Sequence, residues 1–390
     1  MKTIILKKNK EIPSLRKHPW IFSGAIFSRD ESIEDGEIVS VRTQSGKFIG
    51  IGHFQNSSLA VRIFSFDEVN IDSDFWLKKL RAAYRLRVEM GLMTDYNNCF
   101  RLVFGESDYF PGLILDYYNG HVVFQAHSIG MHKLRNVITE ALLEIKELGI
   151  KTIFDKSKES LPGNYARETN HLFLSGNGEN TVVIENGRKF HVDWLSGQKT
   201  GFFLDQRVNR QLVADYSKGK KVLNTFCYTG GFSVYAGTAG ASKITSVDSS
   251  KKAIELTEKN ILENKIDSHE AICEDVFEYL KRETLDYEII ILDPPAFAKH
   301  RDAKHKAVIG YKNLNYLALK KAKKGTVIFT FSCTQVVEKN LFFNTVYSSA
   351  IEAGREVRIL HFLNQPSDHP INPHHPESEY LKGVVLKVIE

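Results

Sequence analysis

The chain has 390 residues, a length that suggests two or three domains, and its 42% hydrophobic and 25% charged content supplies a core and excludes wholesale disorder. No apolar run approaches the ~20 residues of a membrane helix, and Ile4-Ile5-Leu6 is too short for a signal-peptide core, so a soluble cytoplasmic protein with no membrane partner is expected. The net charge is +5, but basic excesses of 0, +2 and +3 over residues 1–75, 76–190 and 191–390 make no domain a basic clamp.

Residues 1–72 read as a small β domain. GEIVSVRTQSGKFIGIGHF holds short β-branched strands around the turn Gln44-Ser45-Gly46, and SLAVRIFSF alternates as a further strand. From Asp74 the apolar residues fall at three- and four-residue spacing, predicting a helix that stops at Gly91. The segment 73–190 then continues as a middle α+β domain. LILDYYNGHVVFQAHS is a hairpin turning at Asn119-Gly120, KLRNVITEALLEIKELG a helix and KTIFDKS a strand, and Asn186-Gly187 turns a second hairpin.

From 191 to 390 strand, loop and helix repeat. VLNTF, KITSVD, HEAICED, YEIIILD and GTVIFTFS are apolar or alternating strands, the pattern of a mostly parallel doubly wound sheet. EVRILHFL and EYLKGVVLKVIE close it as an antiparallel hairpin. Cys99, Cys227, Cys273 and Cys333 are widely spaced without a C-x-x-C pair, which gives neither a disulfide framework nor a zinc ribbon.

The first strand of this domain runs into a glycine turn containing Phe226, Tyr228, Thr229 and Gly230, where a backbone can approach a ligand closely. The second strand ends at Asp248, placed to take ribose hydroxyls, and the third at Asp275, placed to accept from an adenine amine. The spacing lacks G-x-G-x-x-G and a phosphate-loop lysine, so a nicotinamide is disfavoured and S-adenosylmethionine fits. The fourth strand delivers Asp293 before two prolines, and the fifth delivers Cys333 at the same sheet edge. Lys299, Arg301, Lys304 and Lys306, opposed only by Asp302, follow Asp293 and suit a polyanionic substrate. A thiolate adding at carbon 6 of a pyrimidine makes carbon 5 a nucleophile, which is a chemical reason for Cys333 beside Asp293. A free cysteine is otherwise a small buried hydrophobe. The loop histidines His361, His369, His374 and His375 lack regular ligand spacing; a loop over the active site is expected, and no metal.

GQKTGFFLDQRVNR, FCYTGGFSVYA, ILDPPAFAK, FSCT and DHP…HPESEYLKG, in this order, resemble a family of class I methyltransferases that includes the cytosine-5 methyltransferases of large-subunit ribosomal RNA. RKHPWIFSGAI with the strands after it resembles that family's N-terminal PUA domain. The resemblance covers essentially the whole chain. It implies a PUA-like β barrel, a middle α+β domain and a Rossmann-like class I methyltransferase domain, with S-adenosylmethionine as donor and ribosomal RNA as partner. It carries the nucleophile onto Cys333 and the acid onto Asp293, which also lines the cofactor pocket. Further cofactor contacts fall on Asp205, Arg207, the glycine loop, Asp248 and Asp275. Lys17, His18 and Trp20 fall on the PUA signature, where Lys17 and Trp20 would meet RNA and a core tryptophan with solvated neighbours is the plainer alternative. Two departures stand out: Asn224 replaces an acid, and Ala296 occupies the place of a second cysteine. Rival readings are methylation of an exocyclic amine, an RNA-binding protein with a non-catalytic methyltransferase domain, and a small-molecule methyltransferase. Oligomeric state, including a homodimer, is left open.

Overall fold

The computed structural model describes the whole chain apart from Lys299 and the side chain of Arg301. It resolves into two compact units: Met1–Val183 with Val192–Leu204 and Ser367–Ser378, and Ile184–His191 with Asp205–Pro366 and Glu379–Glu390.

In the first unit β1 (Lys2–Leu6), helix α1 (Ile12–Leu15), β2 (Trp20–Phe22), β3 (Ile26–Arg29), β4 (Ile38–Thr43), β5 (Phe48–Phe54) and β6 (Leu59–Ser65) build a six-stranded sheet of order β2-β6-β5-β4-β1-β3. Gly52 of β5 has no room for a side chain, since a Cβ there would strike the backbone of Arg62. Helix α2 (Ser73–Glu89) starts where the Asp72 carboxylate accepts from the Phe75 N–H, and it buries Trp76, Leu80, Ala83 and Arg87 along one stripe. It stops before Gly91, which sits at φ +70°.

A second sheet follows, with β7 (Cys99–Phe104), β8 (Leu113–Tyr118), β9 (His121–Ala126), β10 (Thr152–Asp155) and β11 (Leu172–Ser175) in reverse order across it. Asn119 and Gly120, both at positive φ, make the expected tight turn between β8 and β9. Helices α3 (Ile129–Lys133), α4 (Arg135–Leu143) and α5 (Gly163–Arg167) complete this part. The helix expected to run through residue 149 ends at Leu143; a 3-10 turn at Lys146–Leu148 follows, and Gly149 at φ +55° turns the chain. Residues expected to form separate domains at 1–72 and 73–190 share one core, with Ile51 and Phe64 of the first sheet packed among Trp76, Leu80 and Phe110. Buried ion pairs tie later segments into this unit. Arg87 is bidentate to Asp108 at 2.7 Å and also donates to the Asp368 carbonyl, while Asp116 pairs with Arg101 and accepts from the Thr200 hydroxyl.

The hairpin β12 (Thr181–Glu185) and β13 (Arg188–Val192), turning at Asn186-Gly187, straddles the division. The boundary expected at 190 therefore gives way to a chain in which 192–204 and 367–378 belong with the first unit.

The second unit is a seven-stranded sheet of order β16-β15-β14-β17-β18-β20-β19, from β14 (Lys221–Thr225), β15 (Lys243–Asp248), β16 (His269–Cys273), β17 (Ile289–Leu292), β18 (Val327–Ser332), β19 (Val357–Asn364) and β20 (Lys382–Val388). The first five strands are parallel and β20 is antiparallel to both neighbours. Helices α6 (Arg207–Ser217), α7 (Gly231–Thr238), α8 (Lys251–Glu263), α9 (Val276–Arg282), α10 (Lys304–Lys321) and α11 (Lys339–Glu352) accompany it. Along β17 the fully buried residues divide by parity: Ile289 and Ile291 join one core with Phe232 and Phe331, Ile290 and Leu292 another with Leu280 and Leu314. A strand buried on both faces favours a continuous apolar run, as IIIL is. The strand order reverses between β14 and β17, and a ligand belongs beyond the carboxyl ends of the strands at that point.

Candidate active site

The loop from β14 to α7 is held in unusual backbone. Phe226 (φ +54°) and Tyr228 (φ +47°) are non-glycine residues in the left-handed region, and Gly230 follows at φ +71°. A Cβ on Gly230 would lie 2.7 Å from Thr257 Cγ2, so glycine is required by space as well as by angle. The Asp248 carboxylate accepts from the Tyr228 N–H at 3.0 Å and the Ser250 N–H at 2.9 Å. Thr257 and Asn260 of α8 donate to the carbonyls of Tyr228 and Thr229. Two ladder-free amides thus fix Asp248 at the β15 end, and a carboxylate's remaining lone pairs can still accept ribose hydroxyls. Cys227 is buried under this loop, and burial pushes its thiol up to about 12, which makes it inert. Asn224 is buried too: its amide donates to Ser233 Oγ at 2.8 Å, and its Oδ1 has no partner among the described residues. Asp275 is exposed and caps α9 by accepting from the Glu278 N–H at 3.1 Å, a helix-starting role that the expected adenine contact would have to share.

Asp205 accepts from the Tyr380 hydroxyl at 2.6 Å through Oδ2, while its Oδ1 is buried without a hydrogen-bond partner among the described residues. An orphaned buried carboxylate oxygen calls for a donor, and an amino-acid ammonium is a fitting one. Together with the strained glycine loop and Asp248, it makes these residues fit an aminoacyl nucleoside such as S-adenosylmethionine. Arg207 is engaged elsewhere: its guanidinium donates to Glu185 at 3.1 Å, and Arg210 and Tyr235 converge on the same buried carboxylate. The expected Arg207 contact with the cofactor thus meets a side chain already committed to Glu185.

Asp293 and Cys333 stand one residue beyond the ends of β17 and β18, which pair with Leu292 opposite Thr330. The partly buried Asp293 carboxyl accepts from Gln206 Nε2 at 3.0 Å. Asn209 donates to Gln206 Oε1 at 2.7 Å, so the Gln206 amide can only present its NH₂ to Asp293. Burial, reinforced by the negative charge of Asp205, raises the Asp293 carboxyl to about 7 against the pull of Gln206 and Arg210. The buried phenol of Tyr311, which meets Thr334 Oγ1 at 2.6 Å, feels the charges of both Cys333 and Asp293; these and, above all, burial push it up to about 12. Cys333 itself is partly exposed, unlike Cys99 and Cys227.

The expected RNA contacts divide. Lys299 and the Arg301 side chain lie outside the described residues. Lys306 is exposed in the first turn of α10, and Lys304 is paired with Glu338 at 3.2 Å, a counter-charge that the local sequence did not announce. In the first unit Lys17 is exposed, with its ammonium 5.1 Å over the Phe66 ring. Trp20 is half-buried; its indole N–H donates to Glu106 at 2.8 Å and its ring meets His375 edge-on at 4.4 Å. Those contacts describe a packed tryptophan. The loop expected over the active site lies, for residues 367–378, in the first unit, where His369 is bound to Asp368. Among the described residues no His, Cys, Asp and Glu cluster could hold a metal ion, and no helix is long and apolar enough to cross a membrane.

Gln206, Tyr311, Tyr380 and Lys382 surround these groups and were not singled out by sequence. Gln206 lies inside FFLDQR, and Tyr380 and Lys382 inside ESEYLKG, so the motifs held the signal without its assignment.

Comparison with known proteins fits this geometry. Residues 156–385 match the S-adenosylmethionine-dependent methyltransferase family and residues 4–66 a PUA-like domain. The ribosomal RNA large subunit methyltransferase I of Aeromonas hydrophila subsp. hydrophila is 39% identical over 397 residues, and that of Tolumonas auensis 38% over 401, with 99% of each chain covered. A candidate SAM-dependent methyltransferase from Streptococcus mutans superposes over the full length of both chains at a TM-score of 0.85 with 24% identity, evidence of shared fold. A candidate methyltransferase solved with SAH superposes equally well, at 25% identity. The chain belongs to the S-adenosylmethionine-dependent methyltransferases, built on the same full-length plan as the large-subunit methyltransferase I proteins, with a PUA-like domain ahead of the catalytic one.

Proposed function

We propose that this protein methylates carbon 5 of cytosine in large-subunit ribosomal RNA, with Cys333 as the nucleophile. The observation that carries the reading is the pairing of a carboxyl raised to about 7 with a cysteine at the ends of two adjacent parallel strands. A carboxylic acid that keeps its proton near neutral pH can donate to the ring nitrogen of cytosine and accept from its exocyclic amine. A donor at the ring nitrogen also stabilises the negative charge that builds there as the thiolate adds. The Cys333 sulfur bonds to carbon 6, and the electrons of the carbon 5–carbon 6 double bond shift to make carbon 5 nucleophilic. Bound S-adenosylmethionine supplies an electrophilic methyl group. Carbon 5, once methylated, gives up its proton to a base, and the carbon 6–sulfur bond breaks to restore the double bond. Ribosomal RNA as the substrate rests on the names of the full-length relatives and on the PUA-like domain, which a small-molecule enzyme would leave unexplained.

Amine methylation is disfavoured by one side chain. Such chemistry wants an aromatic directly after Asp-Pro-Pro to stack on the base, but here Ala296 intervenes. Phe297 packs against Tyr311 at 4.7 Å and near Phe277 at 6.4 Å. The experiment is transfer of labelled methyl to ribosomal RNA from a strain lacking this gene, followed by nucleoside analysis. Labelled 5-methylcytidine made by wild type and absent with Cys333→Ala is the expected result. Label on another nucleoside, or a fully active Cys333→Ala, would overturn the thiolate reading.

A further inference from the structure

We propose that Lys382 is a positioning residue that holds Cys333 as its thiolate, through a buried ammonium hydrogen-bonded into the turn that follows the cysteine. The inference rests on the reading of Cys333 as a nucleophile, but its physical content can be measured without any methyl transfer.

Lys382 opens β20, and antiparallel pairing sets it directly opposite Ser332, the last residue of β18 and the neighbour of Cys333. Its side chain does not escape to solvent: the residue is 5% exposed, and Nζ donates to the carbonyls of Thr334 at 2.8 Å and Val337 at 2.7 Å. The ammonium is thereby locked inside the turn that follows Cys333. Two of its three hydrogens are used by neutral acceptors, and no carboxylate forms an ion pair with it among the described residues. A buried cation with only carbonyl partners is costly, because dipoles do not replace the hydration of a full charge. Burial accordingly lowers the Lys382 ammonium to about 8, and the leading influence in the opposite direction is Cys333, ahead of Glu379.

Coupling between two titrating groups is reciprocal. Whatever a Cys333 thiolate does to stabilise the Lys382 ammonium, the ammonium does equally to stabilise the thiolate. Loss of the thiol proton to solvent converts a lone buried cation into a net-neutral pair. The other groups at this edge do not cancel the effect: Tyr311 stays a neutral phenol, and Asp293 sheds its proton only near pH 7, so it repels a thiolate weakly below that point. Lys382 also feels the Glu379 carboxylate, which is itself paired with Lys339 at 3.0 Å.

The test is the pH dependence of Cys333 alkylation by iodoacetamide, read by peptide mass spectrometry on the full chain without cofactor or RNA, in a Cys273→Ser background that removes the exposed thiol. The wild-type profile should have its midpoint at least one pH unit below the ordinary thiol value of about 8.5. Lys382→Met should move it up by at least one unit, roughly a tenfold loss of thiolate near neutrality. Lys382→Arg, which keeps the charge, should restore most of the shift. A wild-type midpoint at or above about 8.5 overturns the proposal, whatever the variants do. So does an unmoved midpoint in a Lys382→Met protein whose melting point still rises with S-adenosylhomocysteine. Should that variant fail to fold, the wild-type and Lys382→Arg profiles decide alone. A depressed thiol in an enzyme whose Cys333→Ala variant still methylates cytidine would leave the ion pair standing and remove the proposed function instead.

Discussion

Replacing Asp293 by asparagine exposes the cost of keeping that carboxyl where it is. The folded state raises it to about 7 from an ordinary value of 3.8, and the principal cause is burial. Below about pH 4 the carboxyl is protonated in folded and unfolded chains alike, so pH does not discriminate between them. Between about 4 and 7 the unfolded chain has released the proton while the folded chain retains it, and wild-type stability falls as pH rises. Above about 7 both states are ionised and the penalty is complete. Three pH units at about 1.4 kcal/mol each set an upper limit of about 4 kcal/mol, and an effective protein dielectric near 20 trims it, so ~2 kcal/mol is the expected swing. The carboxamide that replaces the carboxyl has the same shape and no such titration. The stability of Asp293→Asn relative to wild type should therefore climb through this window and level off above it. All three tryptophans (Trp20, Trp76 and Trp194) lie in the first unit, so fluorescence would report on the wrong part of the molecule. Amide hydrogen exchange of peptides from β17 and β18 is the suitable assay, because measuring both proteins at the same pH cancels the intrinsic exchange rates. A difference that stays flat within about 0.5 kcal/mol from about pH 5 to 8 would refute the raised carboxyl, and with it the argument for a protonated Asp293 facing cytosine.

Glu185→Gln should cost the second unit about 3–5 kcal/mol, measured as a lowered urea midpoint by circular dichroism, since it leaves Arg207 and Arg210 buried with their shared counter-charge gone. Unchanged stability would mean that water reaches those guanidinium groups. Asp205→Asn should weaken S-adenosylhomocysteine binding by about tenfold or more in calorimetry, the worth of one hydrogen bond to a charged group, through the oxygen that now lacks a donor. Equal affinity would take Asp205 out of the cofactor site.

The parallel sheet was readable because strands buried on both faces are rich in apolar and β-branched residues along their whole length, as IIIL, VIFTF and ITSV are. Turns at Asn119-Gly120 and Asn186-Gly187 were equally legible, since few residue pairs tolerate two left-handed positions. The strand-end residues Asp248, Asp293 and Cys333 followed from that framework. What escaped depended on long-range partners. The Arg207 pair with Glu185 and the Trp20 contacts with Glu106 and His375 have no signal in the local sequence. Which segments share a core was not legible for a related reason: Ile51 and Phe64 complete a core whose other members come from residues after 75, and no local pattern records that dependence. Lys382 reads as one more surface lysine in a strand until its carbonyl partners are known.

The chain crosses between its two units five times, after residues 183, 191, 204, 366 and 378. This interleaving governs the order in which the protein can be made. As the chain leaves the ribosome, Arg87 emerges long before the Asp368 carbonyl that it will bind 281 residues later, and Arg101 must likewise wait for the Asp368 carboxylate. The second sheet is no better placed, because β20 fills the gap between β18 and β19 and is translated after both. Neither unit can therefore close while its first half is being synthesised, and long-range contacts of this kind fold slowly. A nascent chain stalled before residue 368 has no finished unit to retreat into, and for the same reason no single cut in the chain yields two fragments that each contain one.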